Sequence, residues 1–336
     1  MDDAVIVRAA TVRDAFSRHK LSWLDALPWL VVLAAYFIFP TYLPLGTEVM
    51  ISIVFALALD LALGYGGIAS LGHAAFFGIG AYAAGLWALD VTPEPVSGLL
   101  VAACAGGFGA LLAGPLVLRT RGLTLVMMTL AVATLLESVA NADWFKPITG
   151  GADGLFGYTI APLFGVFTFD LAGRTGYWYV AAVMAIVFAL SKAIVNSPFG
   201  LTVRGIRENP VRMRMLGVPV LNRLVMLYVI SGAFAAVAGA VSAQVTRLVG
   251  LDSLAFMQSG NVLVMLILGG IGSLYGAFLG ATLFVILSDQ AAAIDPFNWL
   301  LGVGLVLILA VRFAPQGIVG VIEQFAARVG WHGDGV

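Results

Sequence analysis

Charge is what this chain has least of. Only 10% of its 336 residues are Asp, Glu, Lys or Arg, and the formal net charge is −1, against about a quarter charged in an average soluble domain. A chain so poor in charge has no basic face for nucleic acid and no strong field for polyanions. Cysteine is nearly absent as well. Cys104 stands alone in an apolar run, so neither a disulfide framework nor a thiolate-ligated metal site can be built. The three histidines, His19, His73 and His332, are scattered, which disfavours a metal centre or a catalytic triad. No Gly-x-x-x-x-Gly-Lys-(Ser/Thr) loop occurs, and none of Lys20, Lys146 and Lys192 follows a glycine. ATP is therefore not expected to bind this chain in the usual way, and no other cofactor is implied. Without a Gly-x-Ser-x-Gly elbow or a His-Glu-x-x-His pair, an intramembrane enzyme is not expected either.

Apolar residues fill the space that charge leaves. They make up 61% of the chain, with a mean hydropathy of +1.02, and they come in repeated runs. A membrane span needs about 20 mostly apolar residues. The qualifying runs are 27–45, 49–63, 74–89, 97–118, 123–140, 177–195, 224–245, 261–268 continuing through 274–288, and 297–311. The expected fold is an all-α integral membrane protein, a polytopic helical bundle of about nine or ten transmembrane helices with glycine-broken segments. Within 261–288 the pattern favours a half-helix, a kink and a second helix. The transmembrane domain is read as 27–320, with a basic amphipathic helix or tail at 1–26 and a tail at 321–336. Arg8, Arg13, Arg18 and Lys20, then Arg119 and Arg121, then the arginines around 204–223 fall on one side if the spans alternate. That side is cytoplasmic by the positive-inside rule, so the amino terminus is placed inside. The loop 141–176 then lies outside, and its length favours a binding or lid role.

Two glycine-rich stretches resemble each other. Gly66-Gly-Ile-Ala-Ser-Leu71 returns much later as Gly269-Gly-Ile-Gly-Ser-Leu274, each breaking an apolar run. Loosened backbone at membrane depth survives only where protein or a water-filled cavity satisfies it. Paired breaks of this kind point to a transport path. The candidate path residues are Asp60, Gly66, Gly67, Ser70, His73, Gly269, Gly270, Gly272 and Ser273. Ser70 and Ser273 read as N-caps of the helices that follow, whose free N–H groups suit a carboxylate. Asp60 is the deepest ionisable group, placed to meet a substrate ammonium or to pair with His73. Glu137 and Asp289 lie near span ends. Gly272, Gly276 and Gly280 form a stripe for close helix packing.

The loop 196–222 carries a helix start at Asn209-Pro210 and a stop at Gly217 and Pro219. Val211, Met215 and Leu216 share one face between those signals and suggest a partner's groove. A self-sufficient secondary transporter or channel stays open as a rival reading at this point, with Asp60 and Glu137 carrying protons.

Several segments together resemble the branched-chain amino acid ABC transporter permeases, in particular the longer of their two permease subunits. They are the 64–82 stretch, Leu118-Arg-Thr-Arg-Gly-Leu-Thr-Leu125, Thr149-Gly-Gly-Ala-Asp-Gly-Leu155, Ser197-Pro-Phe-Gly200, Arg207-Glu-Asn209, Leu216-Gly217, Leu268-Gly-Gly-Ile-Gly-Ser-Leu-Tyr-Gly276 and Ala314-Pro-Gln-Gly-Ile-Val-Gly320. The resemblance implies an importer of the bacterial inner membrane with a second, paralogous permease subunit, two ATP-binding subunits and a periplasmic substrate-binding protein, moving substrate by alternating access. It places Arg204, Arg207, Glu208, Asn209, Arg212, Met215, Leu216 and Gly217 where the ATPases couple. One departure is the missing glutamine in Gly67-Ile-Ala-Ser-Leu-Gly-His73, which leaves urea or a short amide as an alternative cargo.

Overall fold

The computed structural model describes residues 23–162, 173–296, 298, 301–302, 304, 308 and 317–320. Nearly all of the 1–26 segment, the middle of the 141–176 loop, most of the 297–311 run and the 321–336 tail lie outside the described residues. The chain divides into two compact units, Met1–Thr41 and Tyr42–Val336. In the first, α1 (Trp23–Ile38) exposes Leu30, Phe37 and Ile38.

The second unit is built of helices. α2 (Leu43–Asp60) widens at its end into one turn of π-type bonding over Leu61–Tyr65. α3 (His73–Asp90), α4 (Pro95–Val117), α5 (Leu123–Ala140) and the single turn α6 (Lys146–Thr149) follow. Then come α7 (Arg174–Asn196), α8 (Pro198–Glu208), α9 (Pro210–Met215), α10 (Val220–Thr246), α11 (Phe256–Gly269) and α12 (Leu274–Ile294). Six stretches among the described residues are long and apolar enough to cross a membrane: Pro40–Tyr65, Pro95–Val117, Leu123–Ala140, Arg174–Asn196, Val220–Thr246 and Leu274–Ile294. The 23 residues of α4 rise about 35 Å, more than the roughly 30 Å of hydrocarbon.

α4 is packed inside out relative to a helix of a soluble protein. On α4 the buried positions are small, among them Gly98, Ala102, Gly106, Ala110 and Gly114, while Leu100, Phe108, Leu112 and Leu116 point outward. Lipid tails take the large apolar side chains, so tight helix contact is left to small residues. The contact partner is α10. A methyl built on Gly80 of α3 would lie 2.0 Å from the Ala236 carbonyl, and one on Gly239 would lie 1.9 Å from the Phe77 carbonyl. Backbone meets backbone there.

The expected kink in 261–288 is instead a reversal. Gly269 lies on Gly276 and Gly280 lies on Met265, so α12 runs back along α11 as an antiparallel hairpin. The turn passes through Gly270 at φ +118° and Gly272 at φ +86°, backbone that only glycine adopts without strain. The expected stripe at Gly276 and Gly280 is the face that α12 presents to α11. At 14 residues, α11 rises about 21 Å and is a part-length helix.

At the far end of α10, Leu155–Phe156 (β1) pairs antiparallel with Leu248–Val249 (β2), Leu155 opposite Val249. The Thr149 hydroxyl donates to the Ala140 carbonyl at 2.6 Å and the Tyr158 hydroxyl to that of Ala243 at 2.8 Å. The described part of the 141–176 loop is thus stitched to the bundle. Beside it, the Lys146 ammonium bonds to Asp143 and holds its carboxyl below the usual range.

Candidate functional site

The two glycine breaks meet. Where α2 loosens, the amides of Gly66, Gly67 and Ile68 donate back to the carbonyls of Leu61, Leu63 and Ala62 at 3.2, 3.1 and 2.9 Å. Gly64 then lies flat on the second break. A methyl on it would stand 2.6 Å from the Gly272 nitrogen and 2.7 Å from its Cα. No side chain fits between them.

Asp60 joins the breaks chemically. It is fully buried, and its Oδ1 accepts from the Gly272 amide at 2.7 Å. Its Oδ2 has no hydrogen-bond partner among the described residues. The Tyr65 hydroxyl meets the Leu274 amide at the start of α12. The expected pairing of Asp60 with His73 does not occur, because both ring nitrogens of His73 are already taken. Nδ1 lies 2.9 Å from the Ser70 hydroxyl and Nε2 lies 2.7 Å from that of Ser231. Ser231 in turn donates to the Ala58 carbonyl at 2.6 Å. Its one proton is spent there, so it accepts from Nε2–H, and Nδ1 accepts from Ser70.

The first break is a poorer anion site than its sequence suggests. α3 begins at His73 with Gly72 at the N-cap, so Ser70 is not the cap residue. The amides around the start are occupied. Leu71 donates to Thr129 at 3.1 Å, Gly72 to Ser70 at 3.2 Å and Ala74 to Ser259 at 2.9 Å. Hydroxyls brought in by α5 and α11 satisfy donors that a carboxylate was expected to meet. At the second break Ser273 does cap α12, accepting from the Gly276 amide at 3.3 Å. Gly66 is packed on Leu227, whereas Gly67 is exposed at φ +68°.

The segment 197–219 delivers two arginines to this seam. Arg207 donates through Nη1 to the Gly64 carbonyl, with its stem against Gly67. Arg204 stacks over the Tyr65 ring, 5.0 Å from its centroid. The periodicity of α8 turns Arg204 and Arg207 inward together, one helical turn apart. The rest of the set faces out. Glu208, Arg212 and Gly217 are exposed, Met215 and Leu216 are 84% and 71% exposed, and Asn209 caps α9 by accepting from Val211 and Arg212. Of the two span-end carboxylates, Glu137 is half-buried and Asp289 exposed. Sequence reasoning took Gly64 and Tyr65 only as part of the 64–82 stretch and did not single out Thr129, Ser231 or Ser259. Thr129 and Ser231 are hydroxyls in apolar runs, a signal that was available, whereas Ser259 stands in the polar stretch Gln258-Ser-Gly-Asn261.

A family model described as branched-chain amino acid transport system, permease component, matches residues 42–311. The high-affinity branched-chain amino acid transport system permease protein LivM of Escherichia coli K12 is 28% identical, over 90% of this chain and 75% of that protein. Its Salmonella typhimurium counterpart is 29% identical over 82% of this chain and 69% of that protein. The probable branched-chain amino acid transport permease protein LivH of Methanocaldococcus jannaschii is 25% identical, over 66% of this chain and 72% of that protein. No solved structure matches.

Proposed function

The chain belongs to the family of permease components of branched-chain amino acid transport systems, and from that premise we propose that the seam of the two breaks is its solute path. The chain is a multi-pass membrane protein and a transport subunit. In the proposed reading it forms half of a path with a paralogous permease, in the inner membrane with its amino terminus inside. It takes branched-chain amino acids from a substrate-binding protein and moves them by alternating access. Two separate ATP-binding subunits supply the force through the exposed Val211, Met215 and Leu216. Relatives named both LivM and LivH support a pair of related permeases.

One observation carries the reading: Gly64 and Gly272, 208 residues apart by number (272 − 64), touch without side chains between them and have a buried carboxylate, Asp60, on their contact. Backbone packed on backbone where a helix loosens fits a path that opens and closes. Gly64→Ala tests it, because the added methyl overlaps Gly272. Leucine uptake by the assembled transporter is expected to fall at least tenfold while the subunits still co-purify. Normal uptake in that variant would remove the seam from the path.

A further inference from the structure

At the broken end of α2 the Gly64 carbonyl is met by a side chain. The carbonyls of Leu61, Ala62 and Leu63 accept from Gly66, Ile68 and Gly67. That of Gly64, in a buried residue, accepts from Arg207 instead. An unpaired carbonyl in an apolar interior is costly, so the guanidinium satisfies an acceptor that the first break would otherwise leave unmet. Arg207 also lies over the second break. A methyl on Gly272 would be 3.3 Å from its Nη1. From the other side Asp60 holds the Gly272 amide, and a methyl on Gly64 would meet its Oδ1. Arg207 and Asp60 therefore face each other across two glycine backbones and form no salt bridge.

We propose that Arg207 is a bolt: its guanidinium holds the seam shut in this conformation, and movement of α8 and α9 withdraws it. The inference rests on the reading of this chain as a transport subunit. Three features support it. Arg207 sits two residues before Asn209, the extended joint at φ −153° and ψ 91° between α8 and the exposed α9. A force on Val211 thus acts about one turn from the bolt, and one on Met215 or Leu216 reaches it through the short helix α9. As a residue Arg207 is exposed, so it can withdraw without unpacking the bundle. Withdrawal would leave the Gly64 carbonyl and the free Oδ2 of Asp60 as neighbouring unmet acceptors. Water or a substrate's ammonium group supplies the matching donors.

The test uses the full chain in membrane vesicles with its co-expressed partners. Cys104→Ser removes the single thiol, and Ile68→Cys places a new one at a buried position beside Gly67. The rate of modification by a membrane-impermeant maleimide is followed with the 197–219 segment facing the reagent. Arg207→Met, which keeps the length of the stem and loses its donors, is expected to raise that rate at least tenfold, and Arg207→Lys to give an intermediate rate. Both should retain the partner subunits on co-purification. Equal rates in the chain that keeps Arg207 and in both variants would overturn the bolt. So would loss of the partners from Arg207→Met without faster labelling, since Arg207 would then belong to the docking surface. Because labelling needs no transported solute, failure of the wild-type chain to move leucine would sink the function and leave this measurement standing.

Discussion

His73 shows how a histidine is kept inside a membrane bundle. It is fully buried, with its ring edge-on to Phe76 and Tyr228 and one hydroxyl on each nitrogen. Every polar atom of the group has a partner, and the chain of bonds ties the first break to α10 and to the Ala58 carbonyl of α2. Both nitrogens of His73 are thus met, whereas the second oxygen of Asp60 has no partner among the described residues. Ser231→Ala leaves Nε2–H without its partner and removes the Ser231 donor from the Ala58 carbonyl. The cost expected for leaving a buried donor unsatisfied is about 1–3 kcal/mol. The purified complex should melt several degrees lower in detergent. An unchanged melting temperature would show that the network holds nothing.

The elbow of α8 and α9 divides its work between two faces. Ser197 caps α8 and Asn209 caps α9, each with a proline at the first helical position, so both helices are fixed at their starts whatever lies around them. α8 turns Arg204 and Arg207 onto the seam, and α9 exposes Val211, Met215 and Leu216 with no buried residue of its own. Arg212→Glu with Met215→Asp alters only the exposed face. The expected outcome is a transporter whose ATP hydrolysis no longer drives uptake, with leucine accumulation down at least tenfold. Maleimide labelling at Ile68→Cys should stay as slow as in the parent chain. If uptake were normal in the double variant, α9 would not be where force enters. The hairpin of α11 and α12 makes a similar point about elements. Its reversal places the second break at a tip, where it can press on the first.

On α4 large side chains face outward while glycine and alanine meet α10, which is the packing that lipid demands, whereas α2 buries Phe55, Leu57 and Leu59 at the centre of the bundle. Tyr42–Val336 carries one copy of each break, and its bundle supplies no nucleotide-binding motif. A tagged chain extracted in mild detergent is expected to bring down a second permease and an ATP-binding subunit in stoichiometric amounts. Recovery of the chain alone, still transporting without ATP, would return the secondary-transporter reading to first place.

How much of this was legible beforehand follows from the range of each interaction. The spans came from composition and run length. The caps at Ser273 and Asn209 came from residues within three positions of the amides they bind, and the breaks from a repeated glycine motif. Each of these is a local property, fixed by hydropathy or by backbone geometry over a turn or two. The pairing of Gly64 with Gly272, the inward aim of Arg207 and the His73–Ser231 bond join residues more than a hundred positions apart. Nothing in an apolar run encodes which helix will pack against it, because lipid-facing and helix-facing positions are equally apolar. By itself the sequence determined that this chain crosses a membrane and breaks twice. The tertiary structure decided that the breaks close on each other and that a buried carboxylate and an arginine hold them from opposite sides, since only packing brings distant backbone groups within reach of a partner.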